Sequence, residues 1–184
     1  RGETLLSAKP LTEDATILRI ESLRAVSLCN LLKIYNVQIA KYDKELKELV
    51  VQHNDFEIFK SLPAGSFVTQ GRLIAAMGDD RSRYSSAESL QAASGIAPLT
   101  TQSGKQRFVS SRWACTKFMR QTFHEYAGLT IGKCAWAAAY YRLQLSRKKS
   151  PQLALRALAY KWQRIIYRCW QSRTPYNDQL YVER

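Results

Sequence analysis

Acid is scarce in the latter two-thirds of this sequence. Residues 61–184 hold six Asp/Glu, and between Thr101 and Arg173 the one acid, Glu125, stands among fifteen Lys/Arg. Asp79, Asp80, Glu88, Glu125, Asp178 and Glu183 show no spacing that would bring several carboxylates together, so a two-metal site is not expected from this segment. Cysteine is scarce too. Cys29, Cys115, Cys134 and Cys169 lie far apart, with no C-x-x-C pair and no nearby His pair, which argues against zinc. They read as small core residues in a reducing, cytoplasmic setting. No apolar run approaches the roughly 20 residues that span a bilayer. No signal peptide is evident, and the first residue is Arg1 rather than Met, so the chain reads as a fragment or processed piece.

What is present is a core and a charge. Apolar residues make up 46% of the 184 residues, enough for one domain with an appendage and too many for a disordered tail. The net charge is +13. Residues 1–60 are neutral, with nine Lys/Arg and nine Asp/Glu, so the surplus lies wholly in residues 61–184. Such a block points to a polyanionic partner, because each Lys or Arg that neutralises a phosphate releases a condensed counterion. A merely solvated basic face is the plainer alternative.

The expected fold is mainly α: a long coiled-coil helix in residues 1–60, then a compact helical domain in 61–184. Residues 1–11 read as a lead-in. Thr12 is the expected cap of a helix reaching about Gln52, with Glu13 and Asp14 in its first turn. Leu18, Glu21, Ala25, Leu28, Leu32, Tyr35, Ile39, Tyr42, Leu46 and Leu49 follow the 4-3 spacing of a coiled-coil seam. The partner across it is either another copy or another segment of the same protein. Residues 53–60 read as a connector. An apolar helix through Leu73, Ile74 and Met77 should end at Gly78. Ser85 and Glu88 have capping-box spacing for a short helix closing at Gly95. Thr100–Lys105 read as an exposed loop. Three helices should complete the chain, over 113–127, 133–146 and 151–171. The first should bury Cys115, Phe118, Met119, Thr122 and Tyr126 and expose Lys117, Arg120, Gln121 and His124. The third should bury Leu155, Leu158, Trp162, Ile165 and Cys169 and expose Arg156, Lys161, Arg164 and Arg168.

Several short motifs bear chemistry. Residues 62–78 resemble a helix-hairpin-helix, which offers backbone N–H groups of a tight turn to a phosphate. Gly65 and Ser66 would be its contacts, although Ala64 and Ser66 stand where glycines are common; a plain packing corner is an equal alternative. Ser103, followed by Gly104 in a polar segment, can be exposed and reach a phosphorus atom, with Lys105 and Arg107 to hold phosphate oxygens. Spacing alone favours the commoner role of a turn serine. His124 and Glu125 are adjacent on a helix and point about 100° apart, so they make no acid–base pair; a surface or phosphate-contact role is expected for His124. Tyr160 and Tyr167 are candidates to stack on bases. Arg147, Lys148 and Lys149 form a basic inter-helix loop.

Taken in order, Ser61-Leu62-Pro63, Gly78-Asp79-Asp80-Arg81, Gly95-Ile96-Ala97-Pro98, Gln102-Ser103-Gly104-Lys105, Arg112-Trp113 through Lys117-Phe118, Arg120-Gln121-Thr122-Phe123-His124-Glu125 and Tyr167-Arg168-Cys169-Trp170 resemble the C-terminal transposase domain of the "IS one-ten" insertion-sequence family. The resemblance covers about residues 61–178, and the coiled coil resembles the family's inserted helical segment. It implies a DNA recombinase in which Ser103 attacks the scissile phosphate. Sequence choice would come from a bridge RNA paired with donor and target DNA. It also implies an N-terminal RuvC-like domain whose Asp/Glu tetrad binds Mg2+, with no counterpart in this chain, and action as a dimer or tetramer in the bacterial cytoplasm and nucleoid. On this basis Lys105, Arg107, Arg112, Lys117, Arg120, Arg147, Lys148, Lys149, Arg156, Lys161, Arg164 and Arg168 are expected nucleic-acid contacts, and no metal is expected on this chain. The alternatives are a non-catalytic helix-hairpin-helix binding module and a coiled-coil adaptor.

Overall fold

A computed structural model of the chain describes residues 12–182. The lead-in 1–11 and Glu183 lie outside the described residues. The chain divides into two compact units, one through Glu45 and one from Leu46 onward. The division falls inside a helix rather than at residue 60, because Leu46 and Val50 pack with the second unit.

The first unit is most of helix α1 (Ala15–Gln52). Its cap is Asp14 rather than Thr12: Asp14 Oδ1 accepts from the backbone N–H of Thr16 at 2.8 Å and of Ile17 at 3.2 Å. The Thr12 hydroxyl instead accepts from Asp14 N–H. Up to Glu45 the helix is exposed throughout, including the seam residues Leu28, Leu32, Tyr35, Ile39 and Tyr42. Ile20, Leu23, Val26, Leu31, Ile34 and Val37, off the seam, are exposed as well.

The second unit is helical with one small sheet. Its order is α2 (Phe56–Lys60), α3 (Phe67–Met77), a 3-10 turn (Arg81–Arg83), α4 (Ala87–Ala93), β1 (Leu99–Ser103), β2 (Gln106–Ser110), α5 (Lys117–Thr130), α6 (Ala135–Ser146), α7 (Pro151–Ser172) and α8 (Gln179–Val182). Helix α7 is the centre of packing, with α4, α5 and α6 against it. Ser150 starts it by accepting from Leu153 N–H, Pro151 occupies the first turn, and Arg173 stops it in the left-handed region. Its core side chain is Trp162, fully buried. The indole donates to Thr130 Oγ1 at 2.8 Å, and its ring meets those of Tyr126, Trp136 and Tyr176. Truncating a Trp so placed costs about 3–5 kcal/mol.

The Gly78–Arg81 motif is a structural lock. Gly78, at φ 72°, ends α3, and its carbonyl accepts from Trp170 Nε1 at 3.2 Å. Asp80 caps the 3-10 turn. Arg81 lies 4.6 Å over the Trp170 ring and pairs with buried Asp55 at 2.5 Å. Several local expectations shift. The capping box of α4 is Ser86 with Ser89, one residue later than expected. The connector 53–60 contains α2, whose Ile58 and Phe59 are buried. Helix α5 starts at Lys117, so Trp113 stands outside it and is 87% exposed. Its buried stripe is Met119, Thr122, Phe123, Tyr126, Ala127 and Thr130, with Phe118 turned to solvent.

Candidate nucleic-acid interface

The segment expected as a loop around Ser103 is a β-hairpin. Thr100, Thr101, Phe108 and Val109 suit extended backbone. Gly104, at φ 56°, supplies the positive φ that a type II′ hairpin needs at the first of its two turn residues. The strands pair antiparallel with Thr101 opposite Phe108, Gln102 opposite Arg107 and Ser103 opposite Gln106. Every residue of both strands is exposed.

Strand alternation sorts the side chains. Thr101, Ser103, Gln106 and Phe108 share one face; Thr100, Gln102, Arg107 and Val109 share the other. Ser103 thus has its hydroxyl on an exposed tip, and that hydroxyl makes no hydrogen bond among the described residues. Gln106 is opposite Ser103, and Lys105 stands in the turn between them. Arg107, expected beside Ser103, belongs to the opposite face.

Two arginines hold the hairpin's roots. Arg156 of α7 donates from Nη2 to Gly95 O at 2.7 Å, from Nε to Ile96 O at 3.0 Å and from Nη1 to Ser111 Oγ at 3.0 Å. Arg120 of α5 donates to Arg112 O and contacts Cys115 Sγ. Gly95, at φ 67°, leaves the room this needs: a Cβ there would stand 2.5 Å from Arg120 Nη2 and 2.7 Å from Cys115 Sγ. Arg120 and Arg156 therefore point inward to backbone carbonyls, whereas the helical pattern placed them on the outer face. His124 is not a surface residue either. It is half-buried, its Nε2 has no partner, and burial, then the charges of Arg156 and Arg120, hold its imidazole below the usual value. Sequence reasoning missed this root, although two motif pieces, Gly95-Ile96 and Arg112-Trp113, flank the hairpin on both sides.

The other expected contacts are scattered over the second unit. Lys105, Lys117, Arg147, Lys148 and Arg168 are exposed. Lys149 is half-buried and donates to Gln144 Oε1 at 2.6 Å. Lys161 lies 4.4 Å over the Tyr140 ring, and Arg164 faces Glu88 at 3.7 Å. Arg112 is half-buried. In the α2–α3 corner the left-handed residue is Ala64, φ 61°. Ser66 caps α3 through Thr69 N–H, and Gly65 O accepts from Gln70 Nε2. Tyr160 is half-buried, and Tyr167 is too, donating to Tyr84 O at 3.0 Å.

Possible metal ligands converge among the described residues at His53, Asp55 and Asp79. Their atoms are engaged: His53 Nδ1 accepts from Asp55 N–H, His53 Nε2 pairs with Asp79 at 2.8 Å, and the Arg81 guanidinium holds Asp55. Magnesium prefers carboxylates and water in octahedral array. A histidine beside a resident guanidinium does not fit it.

The chain has clear relatives. A family model described as the transposase IS116/IS110/IS902 family matches residues 56–142, from α2 through most of α6, with the hairpin inside the match. A protein of Streptomyces coelicolor, named as a transposase for the IS117 mini-circle, is 28% identical over 136 residues, 74% of this chain and 33% of that protein. The chain therefore spans about a third of the length of this curated relative. No described helix is long and apolar enough to cross a membrane. Residues 56–142 are thus similar to the transposase domain of the IS116/IS110/IS902 family.

Proposed function

We propose that this domain supplies the serine nucleophile for DNA strand exchange in transposition. Ser103 Oγ attacks a backbone phosphorus. A serine–phosphate ester forms, one P–O bond to a sugar breaks, and that sugar oxygen leaves with a proton. A hydroxyl of the new partner strand then reverses the step and frees the serine. The carrying observation is the unengaged Ser103 hydroxyl on an exposed tip beside Lys105, in a stretch from 89 to 124 that has no acid.

The remaining cations hold phosphates, with Lys105, Arg107, Lys117, Arg147, Lys148 and Arg168 exposed. A bridge RNA selects the donor and target DNA. Carboxylates that bind magnesium belong to a RuvC-like domain outside these residues. Copies of the protein associate as a dimer or tetramer through the 18–49 helix, whose exposed apolar residues support that role. The experiment is covalent DNA–protein adduct formation by the full-length protein with bridge RNA and magnesium. Ser103→Ala should abolish the adduct, and an undiminished adduct overturns the assignment. Residues 1–184 alone should bind DNA without cutting it.

A second reading is a non-catalytic nucleic-acid module, favoured by the tight α2–α3 corner with Ala64 in the left-handed region. It expects salt-sensitive binding unaffected by Ser103→Ala and no strand transfer with any partner domain.

A further inference from the structure

A cleft of about 430 Å³ lies at the root of the serine hairpin. Val109 and Ser110 of β2 form one wall; Tyr140 of α6 and Leu153, Ala157 and Tyr160 of α7 form the others, with Lys149 among the lining residues. Its size falls within the roughly 300–1,000 Å³ of small-molecule sites. Apolar surface dominates, two tyrosines are half-buried in it, and no carboxylate lines it. Its charged lining residues are Lys149 and Arg156. Arg156 is spent on the Gly95 and Ile96 carbonyls, whereas Lys149 gives one ammonium hydrogen to Gln144 Oε1 and keeps two. Lys161 Nζ lies 4.4 Å from the Tyr140 ring centroid and does not line the cleft.

The loop that brings Lys149 to the cleft is strained. Lys148 takes φ 59°, a conformation glycine adopts at lower cost, and yet the position carries a long cation. Lys148 is the left-handed residue that ends α6, and the Lys149 N–H returns to Gln144 O. Burial raises the Tyr140 phenol above its usual range, and the charge of Arg147 opposes that rise. An aromatic, apolar slot edged by cations and free of acid suits a flat ring attached to a phosphate. It suits an acidic or purely apolar protein segment less well, because one lacks the ring and the other the charge.

We infer that this cleft takes an unpaired nucleobase of a single DNA strand, with the adjoining phosphate on Lys149. A base inside a duplex has both faces covered by its stacked neighbours, so the strand must be open at this point. The choice of DNA rests on the reading of Ser103 as nucleophile, since the hairpin that forms one wall would carry the strand being exchanged.

The test compares the 184-residue chain bound to single-stranded oligothymidylate and to an abasic deoxyribose-phosphate oligomer of equal length and charge. A stacked base should give the base-bearing strand an advantage of at least about fivefold. Ala157→Trp, which fills the slot, should bring oligothymidylate down to the abasic level and leave abasic binding unchanged. Irradiation of wild-type complexes with 5-iodouracil DNA should join the strand to a peptide holding Tyr140 or Tyr160, a measurement that needs no variant to fold. Equal, salt-sensitive binding of both oligomers overturns the cleft while leaving nucleic-acid binding standing. An advantage that survives Ala157→Trp in a folded protein overturns it, as do cross-links confined to Phe108 or Trp113. A matching ribo-oligomer that binds more tightly than the DNA overturns the choice of DNA. Binding of neither oligomer removes the nucleic-acid reading and the cleft together.

Discussion

Arg156 Nη2 donates to the carbonyl oxygen of Gly95 at 2.7 Å, tying the central helix to the residue where the chain turns toward the serine hairpin. Hydrogen bonds from a charged donor are each worth roughly 1.5–3 kcal/mol. Arg156→Ala should lower unfolding free energy by about 2 kcal/mol or more in urea titration, and Arg156→Lys by less. An unchanged midpoint would show that this tie contributes nothing to stability.

Gly95 and Gly104 both take positive φ but should respond differently to alanine. At Gly104 nothing lies within 4 Å of an added Cβ, so the cost is the left-handed backbone alone, about 1–2 kcal/mol. At Gly95 the same strain is joined by collision with Arg120 and Cys115. Thermal melts should therefore place Gly95→Ala well below Gly104→Ala. Equal melting temperatures would contradict the crowding at the root.

His124 should make the domain acid-sensitive. The unfolded imidazole takes up its proton near pH 6.5, while burial, then Arg156 and Arg120, lower the folded value. The unfolded chain thus binds more protons in that window. Stability is full above about pH 6.5 and declines as pH falls toward the lowered folded value. His124→Gln should flatten the urea midpoint across this range. A slope identical to wild type would assign the effect to other groups.

Lys105 and Arg107 should separate binding from chemistry. Each contributes a phosphate contact in the proposed complex, so alanine at either should reduce the salt dependence of DNA binding by about one unit of slope. Lys105 stands in the turn, two residues on from Ser103, whereas Arg107 shares a face with Gln102. Adduct yield at saturating DNA should fall with Lys105→Ala and hold with Arg107→Ala. The reverse ranking would place the scissile phosphate on the other face.

Much of the helical frame was legible because its signals are local. Ser150-Pro151 starts α7, Gly78 stops α3, and Leu158, Trp162, Ile165 and Cys169 recur at helical spacing on one buried stripe. The hairpin was not legible as strands. Both its faces meet water, so no apolar–polar alternation marks it, and only Gly104 between β-prone residues hinted at a turn. Its exposure was legible, from polarity. Arg120 and Arg156 were misplaced because periodicity reports only that a guanidinium leaves the apolar stripe. It does not report that backbone carbonyls 60 and 61 residues upstream will meet Arg156. Phe118 was expected on the buried stripe and is exposed, because the stripe that packs runs through Met119, Thr122, Phe123, Tyr126 and Thr130.

A hairpin whose strand residues are all bathed in solvent owes nothing to the packing of the domain beneath it. Apart from Ser103, changes between Thr100 and Phe108 can accumulate without a debt to folding, so long as the anchors at Gly95, Ile96, Ser111 and Arg112 persist. The segment is in that sense an exchangeable cassette. Related proteins could diversify the surface they present to their substrates there, and an engineer could transplant it whole, while the helices beneath remain as they are.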